Sequence, residues 1–423
     1  MASFLLCTVG STGDVVPFLA AAKALEARGH QVRLATHGFH TELCARAGLS
    51  ILPIGPDWTI EDLNGRLDVF EKVRNPATQY ARVAEELFMG DVERSFARVR
   101  EASAEVDAVL VHRSDYVSQE AAIAAGKPWA TLSLQPYLIR TRLAPLHTRS
   151  RGPKYVEPAG PPTGWRKFWT ELTWEAGSSM FKGFHARVAQ RLAQIGAAPR
   201  PMQIGGISSP HLDLLAASPA LTPPRADWPA RTHMIGAIRP LEAGFELPEP
   251  LERFLETHPK PVVVSFGSMG GSKGAETTKW LLDALSRLDR PAVVQHGYAG
   301  LLREEALPEH ILAVGAVPHA RLFPRAGCIV HHCGAGTTHA AARSGVPSAP
   351  VPHHFDQFYW SGRLWDVGAA PKPQYRYRLS AKGLAKHIES AFAYAEPAAA
   401  LGAVVAAEDG APRAAELLEA WLH

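Results

Sequence analysis

Several features that would point away from an ordinary globular enzyme are missing. The four cysteines, Cys7, Cys44, Cys328 and Cys333, include no Cys-x-x-Cys pair. That excludes a disulfide framework and suits a reducing cytoplasm. Like charges do not cluster: 44 Lys and Arg stand against 41 Asp and Glu, a formal net charge of +3, so no nucleic-acid partner is called for. The opening Met1-Ala-Ser-Phe-Leu-Leu-Cys has no basic flank, and its apolar run stops at Gly10. Such a run is too short for a signal peptide or a membrane span and reads as a buried first strand. The expectation is a cytoplasmic protein, at most peripheral to a membrane and not stably inserted in one. Gly-x-Gly-x-x-Gly, Asp-x-Asp, internal repeats and low-complexity tracts are absent as well.

What is present is alternation. With 423 residues, 46% of them apolar, the chain can fill two cores. Strands are expected at 4–9, 31–36, 50–54, 108–112 and 129–134, with helices at 16–28, 39–47 and 116–125 ended by Gly29, Gly48 and Gly126. Strands alternating with glycine-closed helices predict an α/β fold with a parallel, doubly wound sheet. The Pro-, Gly- and Arg-rich stretch 135–163 reads as a long loop. The aromatic run from Trp165 to Phe184 reads either as a helix on the core or as a wall of an apolar pocket. Eight prolines between Pro223 and Pro261 suggest a linker. The alternation then restarts, with strands at 262–266, 292–295, 311–314, 328–332 and 347–351 and helices at 277–287 and 335–344. The expected organisation is a first Rossmann-like domain over 1–222, a linker over 223–260 and a second domain over 261–423. The last helix is free to return to the first domain, and ligands belong where the strands' carboxyl ends meet.

The strongest chemical signal is Ile329-Val-His-His-Cys-Gly-Ala-Gly-Thr-Thr-His339. An apolar strand ends in histidines, and Gly334-Ala335-Gly336 then turns into a helix that starts with Thr337. Glycines let backbone approach an anion, and a helix N-terminus presents unpaired N–H groups with partial positive charge. His332 and Thr337 can add side-chain donors. Two rivals are a plain strand-to-helix turn and a metal site drawn from His331, His332, Cys333, His339, His353 and His354. The spacing of these residues matches no common zinc signature. Downstream, Asp356 and Gln357 sit in an aromatic context just past a strand end, as a helix cap or as a pair able to hold sugar hydroxyls. Near the front, Val9-Gly-Ser-Thr-Gly-Asp14 turns from strand to helix, which makes Asp14 a cap or a general base. Val263-Val-Ser-Phe-Gly-Ser268 is a second strand-to-glycine turn, where Ser268 is a candidate donor to phosphate.

Together these segments resemble the family 1 glycosyltransferases of the GT-B fold. The resemblance is to microbial members such as sterol glucosyltransferases, antibiotic aglycone glycosyltransferases and rhamnolipid rhamnosyltransferases. It rests on Gly10-Ser-Thr-Gly-Asp-Val15, Gly29-His30, Ser265-Phe-Gly-Ser268, Val317-Pro-His-Ala-Arg-Leu-Phe323, His331 to Thr338, Gly345-Val-Pro347 and Asp356-Gln357. It implies two Rossmann-like domains facing a cleft. The donor diphosphate would lie on Ser268, His332, Gly334, Ala335, Gly336 and Thr337, and the donor sugar on Asp356 and Gln357. Val317 would lie beside the nucleobase, with Asp14 as catalytic base. Trp165, Phe168, Trp169 and Phe181 would form the acceptor pocket. The family's ribose-holding glutamate falls at Ala340, so ribose recognition differs here, and its uracil-stacking tryptophan falls near Ala316, which leaves UDP against dTDP open.

The implied reaction is an inverting transfer to a lipophilic hydroxylated small molecule, as in natural product glycosylation, from UDP-glucose ahead of a dTDP-sugar. No cofactor is expected, and without Asp-x-Asp no metal. The alternatives are a sugar-nucleotide epimerase or hydrolase and a non-catalytic sugar-nucleotide-binding partner.

Overall fold

The computed structural model describes residues 1–59, 62–63, 66, 78, 81–82, 84–146, 162–198, 204, 206–241, 246–267, 274–297, 301–302, 307–354 and 356–423. In the first half, strands β1 (Ser3–Cys7), β2 (Gln31–His37), β3 (Ile51–Ile54), β4 (Ala108–His112), β5 (Trp129–Ser133), β6 (Leu212–Leu215) and β7 (Thr232–Met234) form one sheet. Its order is β3-β2-β1-β4-β5-β6-β7 and every pairing is parallel. The second sheet has β8 (Val262–Ser265), β9 (Ala292–Gln295), β10 (Ile311–Val314), β11 (Cys328–His331) and β12 (Ser348–Pro350) in the order β10-β9-β8-β11-β12, also parallel. The central strands are buried along their whole length. This is why they read as continuous apolar runs rather than as alternating ones.

Helices cover both faces of the first sheet. On one side α1 (Thr12–Ala27) packs Val15, Phe18, Leu19 and Leu25 over Phe4, Leu6 and Leu110. On the other, α2 (Val92–Ala104), α3 (Tyr116–Ala124) and α4 (Gly164–Gln194) pack Phe96, Val99, Tyr116, Phe184 and Val188 over Leu5 and Val109. Both expected domains are therefore doubly wound sheets. The strand order reverses between β1 and β4 in the first and between β8 and β11 in the second. Crevices open at such reversals, beyond the carboxyl ends of the strands.

The proline-rich stretch is where the sequence reading needs correction. Residues 223–260 were expected to be a linker, yet β7 lies inside them as the edge strand of the first sheet, paired with β6. Helix α5 (Glu249–Thr257) also lies inside them, burying Leu251 and Leu255 against the second core. An edge strand of three residues tolerates flanking prolines because one side needs no ladder donors.

Of the described stretches, Ala381–Leu422 is long and apolar enough to cross a membrane by composition alone. It is broken into three helices, Ala381–Ala391, Ala395–Ala406 and Gly410–Leu422, whose Leu384, Val405 and Leu418 belong to three different cores. The last helix does return to the first half, where Ala414, Ala415 and Leu418 pack into the core beside α1. Leu418 is fully buried there. Leu418→Ala should lower stability by about 2–5 kcal/mol in urea unfolding. A change below about 0.5 kcal/mol, typical of surface sites, would show that this helix is not part of that core.

Candidate functional site

The first reversal carries Asp14. Gly10 has φ +125°, a conformation that side chains rarely adopt, and a Cβ there would lie 2.5 Å from the Asp14 carboxylate. Glycine thus lets the turn fold back so that Asp14 Oδ2 accepts from the Ser11 N–H at 2.8 Å and from the Ser11 hydroxyl at 2.9 Å. Asp14 is therefore the third residue of α1, bracing its N-terminus, and not the cap itself. Its other oxygen, Oδ1, is 3.8 Å from His112 Nε2 at the end of β4. His112 Nδ1 accepts the Ser114 N–H at 3.2 Å. In the neutral ring the proton therefore sits on Nε2, facing Asp14. Burial depresses His112 against the opposing pull of Asp14, so the ring is neutral near pH 7. His40 adds a second imidazole, its Nε2 3.1 Å from the Gly10 carbonyl. Asp115 is the cap of α3, accepting the Ser118 N–H at 3.0 Å, and burial raises it to about 6.

The second reversal carries the histidine–glycine segment. β11 delivers His331 and His332, and α6 (Ala335–Ser344) begins immediately after Gly334. Cys333 joins them in the left-handed region at φ +68°, with its Sγ donating to the His331 carbonyl at 3.4 Å. The first bond of the helix runs from the Thr338 N–H to the Gly334 carbonyl, 2.9 Å. The N–H groups before it are the orphan donors of any helix start, and of these the Ala335 N–H is met by the Asp356 carboxyl. The His332 ring lies between two glycines: a Cβ on Gly267 would meet it at 2.7 Å, and one on Gly334 would meet its Nε2 at 2.7 Å. Thr337 is buried in the first turn. Ser268 lies outside the described residues.

Burial dominates the electrostatics. It pushes His331 down to about 3, and His332 and His319 to about 4. These rings are neutral at pH 7 and supply single N–H donors rather than full charges. His331 has neither ring nitrogen hydrogen-bonded. His319, within the Val317-Pro-His segment, holds Ser265 Oγ at 3.1 Å and stacks on Phe323. Among the described residues no three His, Cys, Asp or Glu side chains converge as a metal site would require. His339 instead points to the first half, where it accepts the Ser218 N–H at 3.0 Å.

Asp356 and Gln357 open α7 (Gln357–Asp366) beside the start of α6. Gln357 is buried, and its Oε1 accepts the N–H groups of His353 and His354 at 2.8 and 2.9 Å. Only its Nε2 is left for a ligand. The Asp356 carboxyl makes no capping bond to its own helix α7; it reaches the Ala335 N–H at the start of α6 instead. Burial, then the charge of Asp14 across the cleft, raises it to about 7, against the Ala335 and Trp360 N–H groups. Two carboxyls from opposite halves thus face one crevice. Val317 is buried at the carboxyl edge of the second sheet, its carbonyl accepting from Gln295 Nε2 at 2.7 Å.

The aromatic run behaves differently from expectation. Trp174 and Phe184 face the core at 3% exposure, and Phe181 is half-buried against them, but Trp165, Phe168 and Trp169 are 70%, 54% and 47% exposed. Among the described residues these three face outward, because α4 turns its Thr170–Trp174–Gly177 side to the protein. A second group of rings gathers after β2 and β3 and meets the Asp14 turn through His40: His37 contacts both Phe39 and Trp58, and Phe39 contacts His40. His37, Phe39 and His40 are close in the sequence but match no motif, and Trp58 joins them only through the β2–β3 pairing.

Comparison with known proteins agrees with this geometry. Residues 4–124 match the glycosyltransferase family 28 N-terminal domain. Residues 279–419 match the erythromycin biosynthesis protein CIII-like C-terminal domain. An O-mycaminosyltylonolide 6-deoxyallosyltransferase of Streptomyces fradiae is 30% identical, over 98% of this chain and 96% of its own. Two sterol 3-beta-glucosyltransferases of Arabidopsis thaliana are 28% and 27% identical, and this chain spans only 57% and 62% of their lengths. The crystal structure of the glycosyltransferase VinC in complex with dTDP covers 99% of the chain at TM-score 0.68 and 19% identity, with 99% of its own chain matched. The calicheamicin glycosyltransferase CalG4 covers 100% at TM-score 0.68 and 16% identity, with 98% of its own chain matched. With two parallel sheets, paired reversals and a full-length relative at this identity, the chain belongs to the family 1 GT-B glycosyltransferases.

Proposed function

We propose that this protein transfers a sugar, with inversion, from a nucleoside diphosphate sugar to a hydroxyl of a lipophilic small molecule. The observation that carries the reading is the facing pair of reversals: a carboxylate beside a neutral imidazole on one side, and a helix start flanked by buried histidine on the other. The acceptor oxygen attacks the anomeric carbon while Asp14 takes its proton. The bond to the leaving phosphate oxygen breaks on the opposite face. His112 Nε2–H orients the carboxylate and steadies its charge. The departing diphosphate settles on the α6 N–H groups, Thr337 and His332, a preorganised set of dipoles that stands in for a counter-ion. Asp356 and the Gln357 Nε2 would hold the sugar hydroxyls. Phe39, in contact with the His40 ring beside the Asp14 turn, would offer an apolar approach for the acceptor.

UDP-glucose is the first donor to try, with dTDP-sugars second. The named activities of the relatives, on sterols and on a macrolide precursor, support an apolar acceptor. Incubation with UDP- and dTDP-sugars and a panel of hydroxylated lipophiles tests the proposal directly. Glycosylated product supports it. Epimerisation, hydrolysis alone or binding without turnover would each replace it.

Two substitutions separate the roles. In Asp14→Asn the amide oxygen can still accept from Ser11, so folding and donor affinity should stay near wild type, while kcat falls on the order of 10²-fold or more. Near-normal kcat in the folded variant would remove Asp14 from the chemistry. Gly334→Ala keeps an allowed backbone, since Gly334 sits at φ −60°, but its Cβ drives into His332. Affinity for the nucleoside diphosphate by calorimetry should fall by about tenfold or more, the loss expected for a charged hydrogen bond. An unchanged affinity would show that His332 does not touch the donor.

A further inference from the structure

Helix α4 is apolar on two sides, and only one of them is used. Thr170, Trp174, Gly177, Phe184, Val188 and Leu192 are buried. Roughly a third of a turn away run Trp165, Phe168, Trp169, Leu172 and Met180, at the i, i+3, i+4, i+7 spacing of one helix face. These are five of the nine large apolar side chains exposed among the described residues. They form one surface: the Trp165 ring lies 5.5 Å from Phe168 and 6.0 Å from Trp169. Scattered exposed apolar residues need no explanation, but a contiguous aromatic stripe does.

Its surroundings are basic. The described residues of 139–185 carry exposed Arg140, Arg142, Arg166, Lys167 and Lys182 against Glu171 and Glu175. Arg140 pairs with Glu175 at 2.6 Å, and Asp227 accepts the Arg142 N–H at 2.6 Å, which leaves Arg166, Lys167 and Lys182 as the basic residues on α4 itself. The helix is anchored beneath by Trp174 Nε1, which donates to the Ala144 carbonyl at 3.0 Å, and by the Leu146 N–H on Thr173 at 3.0 Å. The stripe is therefore held rigidly, parallel to the surface, and spans about 22 Å from Trp165 to Met180 at 1.5 Å per residue.

We propose that this face docks the protein, reversibly, on an anionic lipid bilayer. Tryptophan and phenylalanine seat at the depth of the headgroups, the helix lies in the plane of the interface, and arginine and lysine beside it meet the negative surface. A bilayer fits this charge pattern better than a second copy does, because two such faces would bring like charges together. The proposal does not depend on which reaction the cleft performs.

Co-sedimentation with phosphatidylcholine vesicles, with and without about 30% phosphatidylglycerol, tests it. The wild-type chain should bind the anionic vesicles at low salt, and tryptophan emission should shift to the blue. Binding should weaken as salt rises. The triple variant Trp165→Ser, Phe168→Ser, Trp169→Ser should partition at least tenfold less while melting at the wild-type temperature, since all three side chains are exposed. Arg166→Gln with Lys167→Gln should lose binding to anionic vesicles while the aromatic face remains. A wild-type chain that stays in the supernatant overturns the proposal, as does a triple variant that binds as well as wild type. Light scattering that shows a dimer in the wild type and a monomer in the triple variant overturns it in favour of a self-interface.

Discussion

Everything about the cleft depends on how the segment after β6 is seated on helices α6 and α7. Ala217 and Leu221 pack with Ala335, Ala342, Tyr359, Trp360 and Leu364 in one core that belongs to both halves. Polar contacts fix its register. The Ser218 N–H meets His339 Nε2, and Ser218 Oγ donates to Glu408 at 2.7 Å. Arg363 Nε donates to the Leu221 carbonyl at 2.7 Å, and Tyr359 shares a 2.7 Å bond with Thr222 while stacking on Tyr137. The helix that presents its N-terminus to the crevice is thus the same helix that clasps the opposite half. That clasp sets how far Asp14 stands from the donor side.

The geometry also explains why the crevice is rich in histidine yet short of fixed positive charge. His319, His331, His332 and His353 are all depressed by burial. A cluster of charged imidazoles would repel itself in a site this dry, and each protonation would cost desolvation. Neutral rings avoid that cost and still donate one proton each. The positive potential comes from backbone dipoles at a strand-to-helix turn, which requires no ionisation. Asp356, raised to about 7 chiefly by burial and then by the charge of Asp14, shows the same logic for acids: a carboxyl taken out of water holds its proton more tightly.

Much of this was legible in the sequence, for identifiable reasons. Strands such as Ala108–His112 and Cys328–His331 are buried on both faces, so they read as unbroken apolar runs. The Gly10–Asp14 and His331–Thr337 turns are local, with every participant within a few residues, and the sequence order alone places them at strand ends. Contacts between distant segments were not legible. β7 is a three-residue edge strand that is only half buried and has little hydrophobic signature. His112 becomes the neighbour of Asp14 through the β1–β4 pairing. Trp165 and Trp174 look alike in the sequence, yet one meets solvent and the other the core, because helical phase decides which side of α4 the protein covers.

If helix dipole and neutral histidine hold the diphosphate, binding should draw protons to the crevice and need no divalent ion. Calorimetric titration of UDP and of dTDP into protein kept in EDTA measures both at once, run near pH 6 in two buffers of unlike ionisation enthalpy. One ligand should bind per chain, with net proton uptake: the incoming negative charge raises His332 from about 4 toward its ordinary value, and the ring protonates in part. Uptake should vanish by pH 8, and in His332→Gln. Binding that disappears in EDTA and returns with magnesium or manganese, with no proton uptake, would contradict the account.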